Sequence, residues 1–285
     1  MVNDYLRRHD GVITLAQARE VGLSHAAVQR RVRSGQWVRR FPGVYFADDR
    51  PYTDAARVRA AVWSYGPHAT ASGLSAAWWH GLTQFAPDRV EVTIPRNSNG
   101  RAKPGCRPRR RDLAPSDVVE IRGVRVTNLA LTVVEAAARD GGARLLDAAL
   151  QRRVVGLSAL WRAQLRHAGR YGSPRSRLLL QAADAGARSA AERILHKLLT
   201  AAGITGWKAD YRVGRYRVDV AFPQCKVAIE VDGFAFHSGP SEFQNDRTRQ
   251  NDIVTMNWQV LRFTWLDLTQ SPERVIAVVR AAISA

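Results

Sequence analysis

The chain has 285 residues, 46% hydrophobic and 24% charged, which suits a soluble globular protein with room for two or three domains. Its 43 Lys and Arg against 25 Asp and Glu leave a formal charge of +18, so a polyanionic partner is expected, nucleic acid rather than a membrane surface, because no long basic amphipathic helix stands out. Cys106 and Cys225 lack CxxC spacing, which excludes a zinc finger and a disulfide framework and fits a reduced cytoplasm; Met1 to Asp10 has no apolar signal-peptide core, and no apolar run approaches a bilayer span.

Residues 1–50 read as three short helices and a hairpin. Leu6 closes the first helix. Thr14 caps a second, Leu15 to Val21, which stops at Gly22, and Ser24 caps a third that ends at Ser34 before Gly35. Trp37 to Phe46 is β-like, with Pro42-Gly43 as its turn. Helix, helix, helix and ribbon is the plan of a winged helix-turn-helix. On the third helix Ala27, Val28, Arg31 and Val32 share the packing side, while His25, Gln29, Arg30 and Arg33 fall largely on the other. Gln can bond adenine bidentately, and Arg can bond guanine or phosphate, so these four are candidate DNA contacts, with Arg39 and Arg40 on the ribbon. A solvated basic face would look the same for any one of them.

Residues 51–185 form a mixed α/β middle segment. Thr53 to Ser64 and Ser72 to His80 read as helices, and Trp78-Trp79 as a buried aromatic cluster. Asp88 to Pro95 alternates as a strand through Val90, Val92 and Ile94. Arg96 to Arg111 reads as a loop that ends in the densest basic run; Arg109, Arg110 and Arg111 are either solvated or phosphate contacts. Val118 to Val126 gives two short strands, and Asn128 to Ala138 and Ala143 to Gln151 are helical. Gly169 to Arg177 has the composition of a linker.

Residues 186–285 follow the order αβββαβα. A helix runs from Ser189 to Ala202, with strands at Lys208 to Val213, Tyr216 to Phe222 and Lys226 to Asp232. A helix over Ser241 to Asn257, a strand over Gln259 to Thr264 and a helix over Pro272 to Ile283 complete it. Two carboxylates interrupt core-like strands: Asp219 between Val218 and Val220, and Glu230 between Ile229 and Val231. Side chains at i and i+2 of a strand share a face, so Asp232 joins Glu230. Buried acids need a compensating cation, and a divalent metal held by Asp219, Glu230 and Asp232 supplies one. His237, just after the strand, suits proton transfer, and Glu192 can reach the same site from the helix. Each has a plainer role available: Ser189-x-x-Glu192 is also a capping box, Asp232-Gly233 a turn, and His237 a surface histidine.

The set Asp219, Ile229-Glu230-Val231-Asp232-Gly233, His237, Asp246-Arg247-x-Arg249-Gln250-Asn251 and Trp258 to Phe263 resembles the domain related to very-short-patch-repair endonucleases, within the PD-(D/E)xK superfamily. The resemblance implies a restriction-endonuclease-like αβββαβ core and Mg²⁺- or Mn²⁺-dependent hydrolysis of DNA phosphodiesters. It carries the catalytic acids over to Asp219 and Glu230, with Glu192 as the helix acid. Asp232 stands where the superfamily places lysine, and related subfamilies use histidine, which makes His237 the substitute.

The first half resembles AbiEi antitoxins of type IV systems through Leu15 to Gly22, the helix that follows, Trp37 to Tyr45, and Gly123 to Thr132. That likeness implies a winged-helix DNA binder that represses its own promoter, and it makes a cognate toxin a further implied partner. The expected plan is an α+β, multidomain chain: winged helix-turn-helix at 1–50, AbiEi-like middle at 51–185, nuclease-like domain at 186–285. Its expected role is a DNA-binding endonuclease; the alternative is an antitoxin-like regulator with an inactive nuclease fold.

Overall fold

Thr14 and Ser24 set the geometry of the first fifty residues. Their hydroxyls accept the N–H groups of Gln17 and Ala27, each at 3.2 Å, and so start two helices at nearly the positions their sequence motifs require. In the computed structural model, which describes residues 1–170, 172–232 and 240–284, the elements here are α1 (Val2–Arg8), β1 (Val12–Thr14), α2 (Leu15–Glu20), α3 (His25–Arg33), β2 (Trp37–Phe41) and β3 (Val44–Ala47). The strand β1, not anticipated from the sequence, pairs antiparallel with β3 to give a sheet of order β1-β3-β2. Three residues are too few to show a period, which is why it was not visible. Leu6, Ile13, Ala18, Val28, Trp37 and Tyr45 fill the core of this winged helix-turn-helix.

The chain divides into two compact units, Met1–Gly156 with Gly169–Ser176 and Leu157–Ala168 with Arg177–Ala285. The first unit continues through α4 (Asp54–Trp63), β4 (Thr70–Ala71), α5 (Gly73–Trp79), β5 (Val90–Ile94), β6 (Cys106–Arg110), β7 (Val118–Ile121), β8 (Val124–Thr127), α6 (Leu129–Ala137) and α7 (Gly142–Gln151). Val12, Val44 and Phe46 pack with Ala56 and Ala60 of α4, so the ribbon shares a core with the next layer. Arg59 reinforces that seam. Fully buried, it donates to Asp10 at 2.8 and 3.0 Å and to the Arg122 carbonyl at 2.7 Å. Burial pulls its pKa down, and Asp10 offsets part of the loss.

A five-stranded sheet of order β6-β5-β4-β8-β7 forms the middle of this unit. Val90, Val92, Ile94, Ala71, Val124 and Val126 point to one core with Trp79, whose indole donates to the Ile121 carbonyl at 3.0 Å. The expected loop Arg96 to Arg111 is corrected: its end is strand β6, parallel to β5, with Val90 beside Cys106 and Ile94 beside Arg110. Three arginines and a proline hide a strand from a propensity reading, yet an edge strand tolerates both. Gly169 to Arg177 is likewise not a free linker, because Gly169–Ser176 belongs to the first unit and Arg170 donates to Ser176 Oγ at 2.9 Å.

The second unit holds α8 (Leu157–Arg166), most of α9 (Ser173–Ala201), β9 (Lys208–Val213), β10 (Tyr216–Phe222), β11 (Val227–Asp232), α10 (Pro240–Thr255), β12 (Gln259–Thr264), α11 (Trp265–Gln270) and α12 (Pro272–Ile283). The sheet order is β12-β11-β10-β9. The first three strands form an antiparallel meander, and α10 carries the chain over to β12, which runs parallel to β11. This is the restriction-endonuclease-like αβββαβ core. Val220, Phe222, Ile229 and Val231 pack against Leu195 and Leu199 of α9 and Val275 and Val279 of α12; Ala221 and Ala228 pack with Ile253 of α10. The helix start expected at Ser189 is corrected as well. Ser189 lies inside the 29-residue α9, so Ser189-x-x-Glu192 is not a capping box.

Candidate functional site

The β10–β11 ladder ends at the pair Val220 and Ile229, and extending the register by one step sets Asp219 opposite Glu230. The Asp219 carboxylate stands in for the missing rung: its Oδ2 accepts the Val231 N–H at 2.7 Å. Its Oδ1 accepts from Arg188 on α9 at 2.8 Å, and the Arg188 Nε lies 3.4 Å from Glu192 one turn along the helix. Glu230 is 6% exposed. Its Oε1 accepts from Arg249 of α10 at 2.5 Å and its Oε2 from Arg262 of β12 at 3.3 Å, where the parallel register pairs the two residues.

Three expected acids, Glu192, Asp219 and Glu230, are thus brought together with three arginines, Arg188, Arg249 and Arg262. Arg188 reads the electrostatics of the group. Burial works against its charge, but Asp219, Glu192 and Glu230 outweigh burial and hold its pKa above the ordinary value. Glu192 is raised, first by burial and then by the Asp219 charge. The Asp232 backbone ends β11 beside Thr264. The Asp232 side chain and the whole of His237 lie outside the described residues. Among the described residues no group of three or more His, Cys, Asp and Glu is arranged to hold a metal.

The arginines carried no role in the sequence reading. Arg188 had a signal, a basic residue four before Glu192 on one helix. Arg262 had a weaker one, since pairing β12 in parallel beside β11 sets it next to Glu230.

In the head, His25, Arg30 and Arg33 on α3 and Arg39 and Arg40 on β2 are exposed, and Gln29 is half-buried. Gln29 and His25 approach at 3.4 Å along the helix. The Arg40 guanidinium lies 3.9 Å from the Tyr52 ring centroid, which steadies it at the surface. The basic run of the middle segment is tied down by acids and backbone carbonyls, with Arg110 exposed. Arg109 pairs with buried Glu91 at 3.1 Å, Arg111 pairs with buried Glu135, and Arg110 donates to the Ser98 and Gly100 carbonyls at 3.0 Å.

Comparison with known families matches three segments of the chain. Residues 1–46 match the model described as "Transcriptional regulator, AbiEi antitoxin", residues 69–182 match "AbiEi antitoxin C-terminal domain", and residues 192–283 match the restriction-endonuclease-like model REase_MTES_1575. The chain therefore joins antitoxin-type segments to a restriction-endonuclease-like domain. Two Mycobacterium tuberculosis proteins, uncharacterized protein MT2308 of strain CDC 1551 and uncharacterized protein Rv2248 of strain H37Rv, are each 27% identical over 255 residues, 87% of this chain and 92% of theirs. The crystal structure of the Mycobacterium tuberculosis RV2827C protein covers 63% of this chain and 75% of its own at 19% identity, with a TM-score of 0.39. No helix among the described residues is long and apolar enough to cross a membrane.

Proposed function

We propose that the protein binds DNA through its winged helix and hydrolyses DNA phosphodiesters through a divalent metal, Mg²⁺ or Mn²⁺, at the Asp219–Glu230 site. The observation that carries the reading is the pair of carboxylates at the end of the β10–β11 ladder. Two hard oxygen donors from adjacent strands suit such a cation, which takes one or two carboxylates and fills its remaining positions with water and phosphate oxygens. When bound, it would offset charge on the phosphate and acidify a water. The chain's own residues do the rest. The Val231 N–H fixes the Asp219 carboxylate, Arg262 fixes Glu230, and Arg188 is close enough to move from carboxylate to a substrate phosphate. His237 and Asp232 are the residues assigned to proton transfer and water orientation.

A second reading has its own observation. All four oxygens of Asp219 and Glu230 already accept hydrogen bonds, three of them from arginines. A site neutralised in this way suits an antitoxin-like regulator whose nuclease fold holds DNA or a toxin without cutting.

Plasmid nicking with Mg²⁺ or Mn²⁺, run beside calorimetric titration of Mn²⁺, separates the two. The nuclease reading expects metal binding and nicking, with Asp219→Asn losing at least about 100-fold in rate, the several kcal/mol a metal supplies. Asn keeps an oxygen for the Val231 N–H, so the fold survives the change. Intact DNA shifts with neither metal binding nor nicking overturn the nuclease reading and leave the regulator.

A further inference from the structure

Arg188 stands on the one oxygen of Asp219 that is left for a ligand. The other oxygen, Oδ2, accepts the Val231 N–H at 2.7 Å and takes the place of a rung of the β10–β11 ladder. Turning the carboxyl over exchanges the two oxygens but still leaves one under that amide. The Arg188 guanidinium donates to Oδ1 at 2.8 Å. The same guanidinium reaches Glu192, with its Nε 3.4 Å from Oε1. One cation thus bridges two of the three acids gathered at this site.

A guanidinium and a divalent ion compete for such a position. Both are cations, and the Asp219 side chain is only 11% exposed, so little water screens their repulsion. Of the three arginines at the site, Arg188 is the one placed to leave. Arg262 is fixed in β12, where the parallel register sets it beside Glu230, and its side chain is 22% exposed. Arg249, at 29%, donates to the Arg217 carbonyl as well as to Glu230. Arg188 is 45% exposed, and its hydrogen-bond and ion-pair partners among the described residues, Asp219 and Glu192, are both carboxylates. A phosphodiester offers a guanidinium the same fork of acceptor oxygens as a carboxylate does.

We infer that Arg188 is a latch on the Asp219–Glu230 site. It keeps Asp219 Oδ1 from a divalent ion until a DNA phosphate takes the guanidinium, which frees Asp219 and Glu192 together. DNA therefore binds before the metal does. The inference rests on the nuclease reading of this site and adds an order to it: away from DNA the chain does not carry a loaded metal centre. Coupling of this kind is reciprocal, so the metal tightens DNA binding by the same factor as DNA tightens metal binding.

Mn²⁺ is the probe, titrated into the full chain with and without a short DNA duplex, the unbound ion being read by its electron paramagnetic resonance signal. Without DNA, Arg188→Met, which keeps an unbranched stem and loses the charge, is expected to bind Mn²⁺ at least about tenfold more tightly than the parent, since no charge-assisted hydrogen bond has to be displaced. Arg188→Lys keeps the charge and is expected to stay closer to the parent than to Arg188→Met, whereas a merely structural role would move both variants alike. Adding Asp219→Asn to Arg188→Met is expected to abolish the gain. The duplex, corrected for the Mn²⁺ it takes up alone, is expected to raise the affinity of the parent at least about tenfold and that of Arg188→Met much less. If the parent binds Mn²⁺ without DNA as tightly as Arg188→Met does, the latch is overturned and the nuclease reading stands. If Arg188→Met binds tightly but the duplex leaves the parent unchanged, DNA does not release Arg188 and the proposed order is overturned. If neither protein takes up Mn²⁺ with or without the duplex, the nuclease reading falls and the latch with it.

Discussion

Glu192 shows how a single side chain reports on the candidate site. It sits beside Asp219 and Arg188, and burial followed by the Asp219 charge raises its pKa from the ordinary 4.5. A carboxyl whose folded pKa is raised holds its proton more tightly in the folded state than in the unfolded one. Its contribution to stability therefore falls as pH rises from the unfolded pKa through the raised folded value. Glu192→Gln, which cannot ionise, should gain on the parent protein across that window. The melting-temperature difference, variant minus parent, should be more positive at pH 7 than at pH 4, and a difference constant with pH would show that Glu192 ionises without cost. Asp219 and Glu230 were legible in the sequence because each interrupts an apolar strand, and Glu192 because it lies on the helix before those strands. Their arginine partners were not. Arg249 lies in a motif of the endonuclease resemblance, but it and Arg262 become partners of Glu230 only once the crossover helix and the parallel strand are folded beside it.

At the scale of elements, α9 is the informative case. The helix runs unbroken from Ser173 to Ala201 through Gly186, which is exposed, has ordinary helical backbone and has open space where a Cβ would stand. A glycine in a helix interior costs roughly 0.5–1 kcal/mol relative to alanine. Gly186→Ala should accordingly raise the melting temperature of the second unit by about 1–4 °C, as read by scanning calorimetry. A fall would mean that the helix bends or breaks there. The same glycine is why the sequence suggests a boundary near 186 when the helix starts thirteen residues earlier: one unfavourable residue looks like a break, but the alanines and leucines around it outweigh it. The strands of the second unit were legible because short runs rich in Val, Ile, Tyr and Phe are bounded by Gly and Pro. Strand β6 was not, since Cys106 is its only buried apolar residue and what holds it is ion pairing to Glu91 together with the hydrogen bonds to β5. Patterns of hydrophobicity carry no record of a strand fixed by charge.

For the molecule as a whole the dominant property is its +18 charge, and the proposed partner makes that charge measurable. A protein that neutralises phosphates releases condensed counterions, so the logarithm of its affinity falls linearly with the logarithm of salt, by about 0.9 for each phosphate contact on duplex DNA. Much of the charge in this chain is spent internally. Arg59, Arg109, Arg111, Arg188 and Arg249 all pair with acids, so the net charge overstates what DNA would meet. Arg30 and Arg33 on α3 are exposed and lie on the face turned away from Val28. Replacing both with alanine should weaken binding to duplex DNA and reduce the salt slope by about 1.8. Asp219→Asn should leave the slope where it was, because no exposed cation of the head is lost. Gel shifts or anisotropy over a range of KCl concentrations give the slope directly. A slope unchanged by the double replacement would take α3 off the phosphate backbone and move DNA binding to another face of the protein.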